Sequence, residues 1–202
     1  MSALRNSKIA GKFRSKDDVR KFVWEKIKPY STFPPPHGRI PNFKDAFKAC
    51  ERLRELKEWK KAEFVFSAPD SPLRRARELC IEDGKTLVMV KPHMEGFLIL
   101  KPEVLEIRGT LKDMLKAGRE VNLRAIPEVD IFLQGCVAVD TKGNRIGKGR
   151  GYGDKEYFLL KNLGKLKGPY VVVCHELQVF DDLSHLCERY DARCDIILTL
   201  KR

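Results

Sequence analysis

Residues 62–90 read AEFVFSAPDSPLRRARELCIEDGKTLVMV, and their pattern decides the fold class. Phe64–Val65–Phe66 is a short apolar run of the kind a buried strand needs. Pro69–Asp70–Ser71–Pro72 opens a helix, because proline fits a first turn whose N–H has no partner to lose. The helix runs to about Glu82 and Gly84 ends it, after which Thr86–Leu87–Val88–Met89–Val90 is a second apolar run. Strand, helix and strand in that order predict a βαβ unit, hence a parallel sheet with helices on its faces.

Working outward, the C-terminal half repeats the strand signal. Ile131–Phe132–Leu133–Gln134–Gly135–Cys136–Val137–Ala138–Val139 is apolar almost throughout, as one strand buried on both faces would be. Tyr170–Cys174 predicts a central strand and Asp195–Thr199 a final one. Between the halves, Phe97–Leu100 and Val104–Ile107 read as edge strands, and Leu111–Ala117 as a short helix. On the N-terminal side Ser15 caps a helix over about 16–28, with Asp17 and Asp18 complementing the dipole and Val19, Phe22, Val23 and Ile27 on one face. Three consecutive prolines make Ser31–Pro41 a stiff irregular loop. Asn42 then caps a second helix whose core stripe is Phe43, Ala46, Phe47, Cys50 and Leu53. The expectation is a single α/β domain over residues 1–202, three-layered αβα about a mostly parallel sheet, with residues 1–14 loose.

Forty Lys+Arg against 28 Asp+Glu leave a formal charge of +12. A positive field admits nucleotides, polyglutamylated cofactors, nucleic acid or acidic membrane and does not choose among them. A hydrophobic content of 43% excludes a disordered chain. No apolar run approaches the roughly 20 residues of a membrane span, and no signal-like apolar stretch opens the chain. The six cysteines form no CxxC pair and mostly sit in apolar runs, so reduced, buried thiols and a cytoplasmic location are expected. Cys174, His175, His185 and Cys187 lack the ligand spacing of a zinc site. Monomer and homodimer both stay open.

The chemistry concentrates in Gly147–Lys148–Gly149–Arg150–Gly151–Tyr152–Gly153–Asp154–Lys155. Glycines at every second position let the backbone turn sharply and approach a ligand, with two cations between them. A helix from about Asp154 to Asn162 follows, so open amides and the helix dipole add to a phosphate cradle. Lys16 and Arg20 are four apart and share a helix face. His37 and His93 read as loop histidines of the surface, whereas His175, just past a central strand, joins Gln178 as a pocket candidate.

Several of these stretches together resemble the 5-formyltetrahydrofolate cyclo-ligase (methenyltetrahydrofolate synthetase) family, in its divergent methenyltetrahydrofolate synthase domain-containing branch. The residues that carry the likeness are Val129–Asp130, Gly135–Val139 and above all Gly143–Tyr157. Gly38–Phe43, Ala68–Pro72, His175–Val179 and Tyr190–Asp195 support it. The resemblance implies a sugar-isomerase and CoA-transferase-like α/β fold that binds ATP and Mg²⁺. It also implies conversion of 5-formyltetrahydrofolate, or a related reduced pterin, to 5,10-methenyltetrahydrofolate: ATP phosphorylates the formyl oxygen, a ring nitrogen attacks, and phosphate leaves. Such chemistry asks for positioning and charge neutralisation more than covalent work by the protein.

By the same resemblance, Lys16 and Arg20 clamp nucleotide phosphates and the loop from Gly147 through Lys148, Gly149, Arg150, Gly151, Tyr152 and Gly153 wraps them. Lys148, Arg150 and Tyr152 would be the catalytic groups, and Asp154 and Asp191 would hold Mg²⁺. The chain departs from the family at Gly153 and Lys155, where Tyr and Arg are usual, and the family's mid-chain pterin-pocket segment gives way to Ala68–Pro72. Two alternatives stay open: the same ATP machinery serving another substrate, and a basic nucleic-acid-binding protein on the same fold, with Lys57–Lys61 and Leu73–Arg77 as its basic runs.

Overall fold

The structure, a computed structural model, describes residues 10–103 and 108–201. In chain order the helices are α1 (Lys16–Ile27), α2 (Ala46–Glu51), α3 (Lys57–Lys61), α4 (Arg74–Glu82), α5 (Leu111–Ala117) and α6 (Tyr152–Asn162). Strands β1 (Phe64–Ser67), β2 (Thr86–Val90), β3 (Phe97–Leu100), β4 (Arg119–Val121) and β5 (Ile131–Gln134) precede β6 (Ala138–Asp140) and β7 (Arg145–Ile146). The last are β8 (Tyr170–Val173), β9 (Val179–Phe180) and β10 (Ile196–Leu198).

The β1–α4–β2 unit forms as its sequence predicts, with Phe64 beside Thr86 and Phe66 beside Val88 in parallel register. A seven-stranded sheet grows around it in the order β10-β8-β5-β1-β2-β3-β4. The first five strands run parallel; β3 and β4 close one edge antiparallel. Alternation along the strands sends Val65, Leu87, Met89, Leu133 and Val171 to one face, where α2 to α5 cover them. Phe66, Val88, Phe132, Tyr170 and Val172 go to the other, against Leu160 of α6. Phe66 stacks on Phe132 at 4.5 Å between ring centroids, and Tyr170 meets Phe132 edge-on at 5.1 Å. Each such fully buried apolar side chain contributes about 1.5–3 kcal/mol against leaving it in water. The three-layer αβα arrangement is therefore real.

The run Ile131–Val139 is not one strand. It breaks after Gln134, and β6 belongs to a separate three-stranded sheet, β7-β6-β9, on which α1 packs through Val19 and Val23. The break falls at Gly135, where a Cβ would lie 2.5 Å from Ile40 Cγ2. Side chains replace the missing ladder bonds: the Gly135 N–H donates to Asp70 Oδ2 (3.2 Å), Arg145 Nε donates to Gly135 O (3.1 Å), and Gln178 Nε2 donates to Cys136 O (2.6 Å). An apolar run carries no mark of this change of sheet except that glycine.

Other boundaries also move. Ser15 caps α1 as expected, its Oγ accepting from the Asp18 N–H at 3.2 Å. Asn42 caps nothing; it closes the proline loop, donating from Nδ2 to Phe33 O at 3.2 Å, and α2 starts at Ala46. Phe47 consequently leaves the core and is 53% exposed. Helix α6 begins at Tyr152, two residues earlier than its apolar pattern indicated, because Gly151 takes the N-cap in a left-handed conformation. The strand expected at Val104–Ile107 lies outside the described residues, as does most of the N-terminal stretch. Among the described residues, no helix is long and apolar enough to cross a membrane.

Candidate active site

Segments that leave the C-terminal ends of β1, β2 and β5 meet the glycine loop around a cavity of about 410 Å³. Parallel sheets bind ligands at this end. Strand β7 delivers the loop and α6 receives it. Gly149 (φ +103°) and Gly151 (φ +67°) hold left-handed conformations that other residues adopt only with strain. No side chain caps α6, so the amides of its first turn are left for a ligand. Lys148 and Arg150 are exposed on the cavity rim, and among the described residues neither makes an ion pair.

Beneath the loop, Arg20 donates from Nε to Gly147 O at 2.8 Å, and its guanidinium carbon lies 3.4 Å from where a Cβ of Gly149 would sit. Arg20 thus props the loop from outside the cavity. Lys16 donates to Asp191 Oδ1 at 2.7 Å and Oδ2 at 2.6 Å, and to Glu188 at 3.3 Å. Burial works against its charge, but Asp191 and Glu188 outweigh that and hold the ammonium above its ordinary range. Asp154 accepts at Oδ1 from the Ala192 N–H at 3.1 Å, so the two acids expected to hold metal are linked through adjacent residues. Asp154 Oδ1 is also 3.6 Å from Arg145 Nη1. Among the described residues, no group of three or more His, Cys, Asp or Glu side chains is placed to hold a metal alone. Asp191, paired with Lys16, and Asp154, near the buried Arg145, are oxygen donors of the kind a divalent ion takes when phosphate oxygens and water complete its shell.

Of the residues singled out from the sequence, Gly147, Lys148, Arg150, Gly151, Tyr152, Gly153 and Asp154 line the cavity; Lys16, Arg20, Gly149 and Asp191 do not. His175 and Gln178 do not line it. Gln178 is buried as a backbone staple, and His175 accepts from the Leu177 N–H at 3.1 Å between the rings of Tyr30 and Phe43. His93, read as a surface histidine, is exposed and also borders the cavity, with Nδ1 3.4 Å from the Tyr152 hydroxyl. His93 and Met94 both have φ +60°, a strained backbone that holds this histidine against the tyrosine.

Four further groups form the floor: Asp70, Gln134, Arg145 and Glu156. A side chain at Gly153 would displace the floor groups, because a Cβ there would lie 2.5 Å from Arg145 Nη2 and 2.9 Å from Gln134 Oε1. Glu156 is buried, and that burial, reinforced by the charge of Asp70, pushes its carboxyl up to about 8 despite Arg145 and Lys148. The signal for Gln134 was available: one amide in an otherwise apolar run demands a buried partner. Glu156 and Arg145 carried no such mark. The basic run Leu73–Arg77 proves internally neutralised, since Arg75 pairs with Glu51, Glu78 and Glu82 while Arg77 is buried.

A model of the 5-formyltetrahydrofolate cyclo-ligase family matches residues 14–200. Methenyltetrahydrofolate synthase domain-containing proteins of Homo sapiens and Bos taurus are 34% and 36% identical over 203 residues, covering 93% of this chain and 52% and 53% of theirs. The chain thus spans about half the length of these curated relatives. The NMR structure of Aquifex aeolicus 5,10-methenyltetrahydrofolate synthetase has a TM-score of 0.62 at 25% identity, covering 93% of this chain and 90% of that one. A 5,10-methenyltetrahydrofolate synthetase from Mycoplasma pneumoniae gives 0.58 at 16% identity over 91% and 97%.

Proposed function

The chain belongs to the 5-formyltetrahydrofolate cyclo-ligase family, and from that premise we propose that it is an ATP- and Mg²⁺-dependent cyclo-ligase-like enzyme. Its substrate is 5-formyltetrahydrofolate or a related reduced pterin. One observation carries the reading: Lys148 and Arg150, without an ion pair among the described residues, stand on a glycine loop that ends in a helix with no side-chain cap, at the rim of a cavity with a polar floor.

Mg²⁺-ATP, when bound, supplies the phosphoryl group that makes the formyl oxygen a leaving group. The protein's own work is positioning and charge. Gly149 and Gly151 shape the loop, the open amides of α6 and the two loop cations neutralise phosphate, and Arg20 keeps the loop at a fixed height through Gly147 O. Asp154 and Asp191 would hold the divalent ion, which would supply charge for the phosphates, and Lys16, freed of Asp191, would offer its ammonium to phosphate. Tyr152, backed by His93, walls the cavity and limits water.

Incubation with ATP, Mg²⁺ and 5-formyltetrahydrofolate should yield the methenyl chromophore, and Lys148→Ala with Arg150→Ala should lower turnover by about a hundredfold. Binding of an ATP analogue without any methenyl product would remove the folate assignment. A second reading, the same ATP site serving another substrate, is favoured by Gly153, whose place is filled by Arg145 rather than by the family's tyrosine. The nucleic-acid reading loses support from the paired arginines of α4.

A further inference from the structure

Helix α1 holds two parts of the cavity wall from one face. Arg20 fixes the glycine loop through Gly147 O, and Trp24, one turn further along, donates from Nε1 to Arg39 O at 2.9 Å. Residues four apart on a helix lie on the same side, so α1 sets the loop and Arg39 at a fixed spacing. The segment that carries Arg39 is itself closed. Residues 36–39 form a turn in which the Arg39 N–H donates to Pro36 O at 3.0 Å and Gly38 is left-handed (φ +69°). His37 Nε2 lies 3.0 Å from Glu25 Oε1, and Ile40, 7% exposed, packs with Val19 and Val23 of α1. The Arg39 backbone is thus held on both sides. Its side chain is exposed at the cavity and, among the described residues, makes no hydrogen bond or ion pair.

A cation on a fixed base that no protein group neutralises suits an anion, and a guanidinium fork fits a carboxylate through two parallel N–H bonds. In the proposed reading the nucleotide phosphates are met by Lys148, Arg150 and the open amides of α6, which leaves Arg39 for the other ligand. We infer that Arg39 binds a carboxylate of the second substrate, the one that receives the phosphoryl group. This rests on the reading that the cavity takes 5-formyltetrahydrofolate or a close relative, whose glutamyl end carries carboxylates. Arg39 is then a specificity-determining residue that selects an acid-bearing substrate over its neutral counterpart. Trp24 is a positioning residue that acts through the Arg39 carbonyl.

The test is isothermal titration with 5-formyltetrahydrofolate and with its diamide, in which the glutamyl carboxyls become uncharged amides of the same shape. Wild-type protein should prefer the acid by about tenfold or more. Arg39→Met should bring the two within about twofold by weakening the acid alone, and Arg39→Lys, a point charge without the fork, should fall between. Trp24→Phe keeps a ring and removes the N–H; it should narrow the preference by about threefold while affinity for the diamide holds. Affinity for a non-hydrolysable ATP analogue, measured in parallel, should stay within about twofold in every variant. An unchanged preference in Arg39→Met, or no preference in wild type, would overturn the inference. So would a loss of ATP-analogue affinity in Arg39→Met, which would assign the guanidinium to phosphate. An unchanged preference in Trp24→Phe would remove the positioning role of the indole. Failure of wild type to bind either folate compound while it binds the ATP analogue would overturn the folate reading, and the inference with it.

Discussion

Lys16 and Asp191, 175 residues apart in sequence, form a two-pronged ion pair, with Nζ 2.6 and 2.7 Å from the two carboxylate oxygens. The sequence pointed to these residues for different tasks, phosphate and metal, yet here each neutralises the other. A divalent ion proposed at Asp191 would therefore have to compete with the ammonium for the same oxygens.

Lys16→Met should separate the two tasks. Affinity for the ATP analogue should drop about tenfold, while Mn²⁺ alone, followed by its paramagnetic signal, should bind Asp191 more tightly than in wild type. Weaker binding of Mn²⁺ alone would show that Lys16 does not compete with metal.

Glu156 makes stability depend on pH in a defined direction. Its folded carboxyl titrates near 8 against an ordinary value of 4.5, so the folded state retains the proton over that interval. Stability is then greatest below about 4.5 and is lost as pH rises through 8. Glu156→Gln cannot titrate and should gain on wild type across this window, by roughly 2 kcal/mol or more at its upper end. Urea midpoints measured at intervals from pH 5 to 9 check it; parallel curves for the two proteins would refute the burial argument.

Arg77 is a third target. Its Nε donates to Gly109 O at 2.9 Å, and its Nη1 to Ala68 O at 2.8 Å and Asp70 O at 3.1 Å, with burial pulling its pKa down to about 10. Arg77→Met removes a donor from three carbonyls, of which Ala68 O keeps the Ser67 hydroxyl and Asp70 O keeps the Leu73 N–H, and leaves an apolar side chain against all three. A loss of about 3 kcal/mol or more is expected, read as a shift in denaturation midpoint at constant slope. A loss under about 1 kcal/mol would mean water replaces the guanidinium.

Gly153→Tyr restores the residue usual in the family and should still impair this protein. The new Cβ would overlap Arg145 Nη2 and Gln134 Oε1, costing about 1–3 kcal/mol and dislocating the floor. Thermal unfolding and folate binding both report it, and a gain in either would contradict the packing described.

The central sheet was legible because its strands are buried on both faces and announce themselves as apolar runs: Val65, Val88, Leu133, Val172 and Leu198 all fall where hydrophobicity put them. The second sheet was hidden for the same reason, since the residues on either side of Gly135 are equally apolar. The loop side of the site was legible through its glycines and cations. The floor was not, because Arg145, Glu156 and Asp70 look like ordinary charged residues until the fold buries two of them together. Burial is a property of distant neighbours, and one helix-embedded glutamate gives no hint of it.

Because the chain changes sheets at Gly135, the cavity is built across a joint. Gln134, on one side of that glycine, belongs to the large sheet, as does the strand that leads to Asp70; Arg145 and the loop that follows it belong to β7, on the other sheet. The gap between these two sides is therefore set by the angle between two sheets joined through three residues, with Gly135 as the pin and Gln178 as the brace. A change at Ile40 or Gln178, neither of which belongs to the floor or to the loop, would alter the aperture of the cavity without altering the chemistry of either jaw.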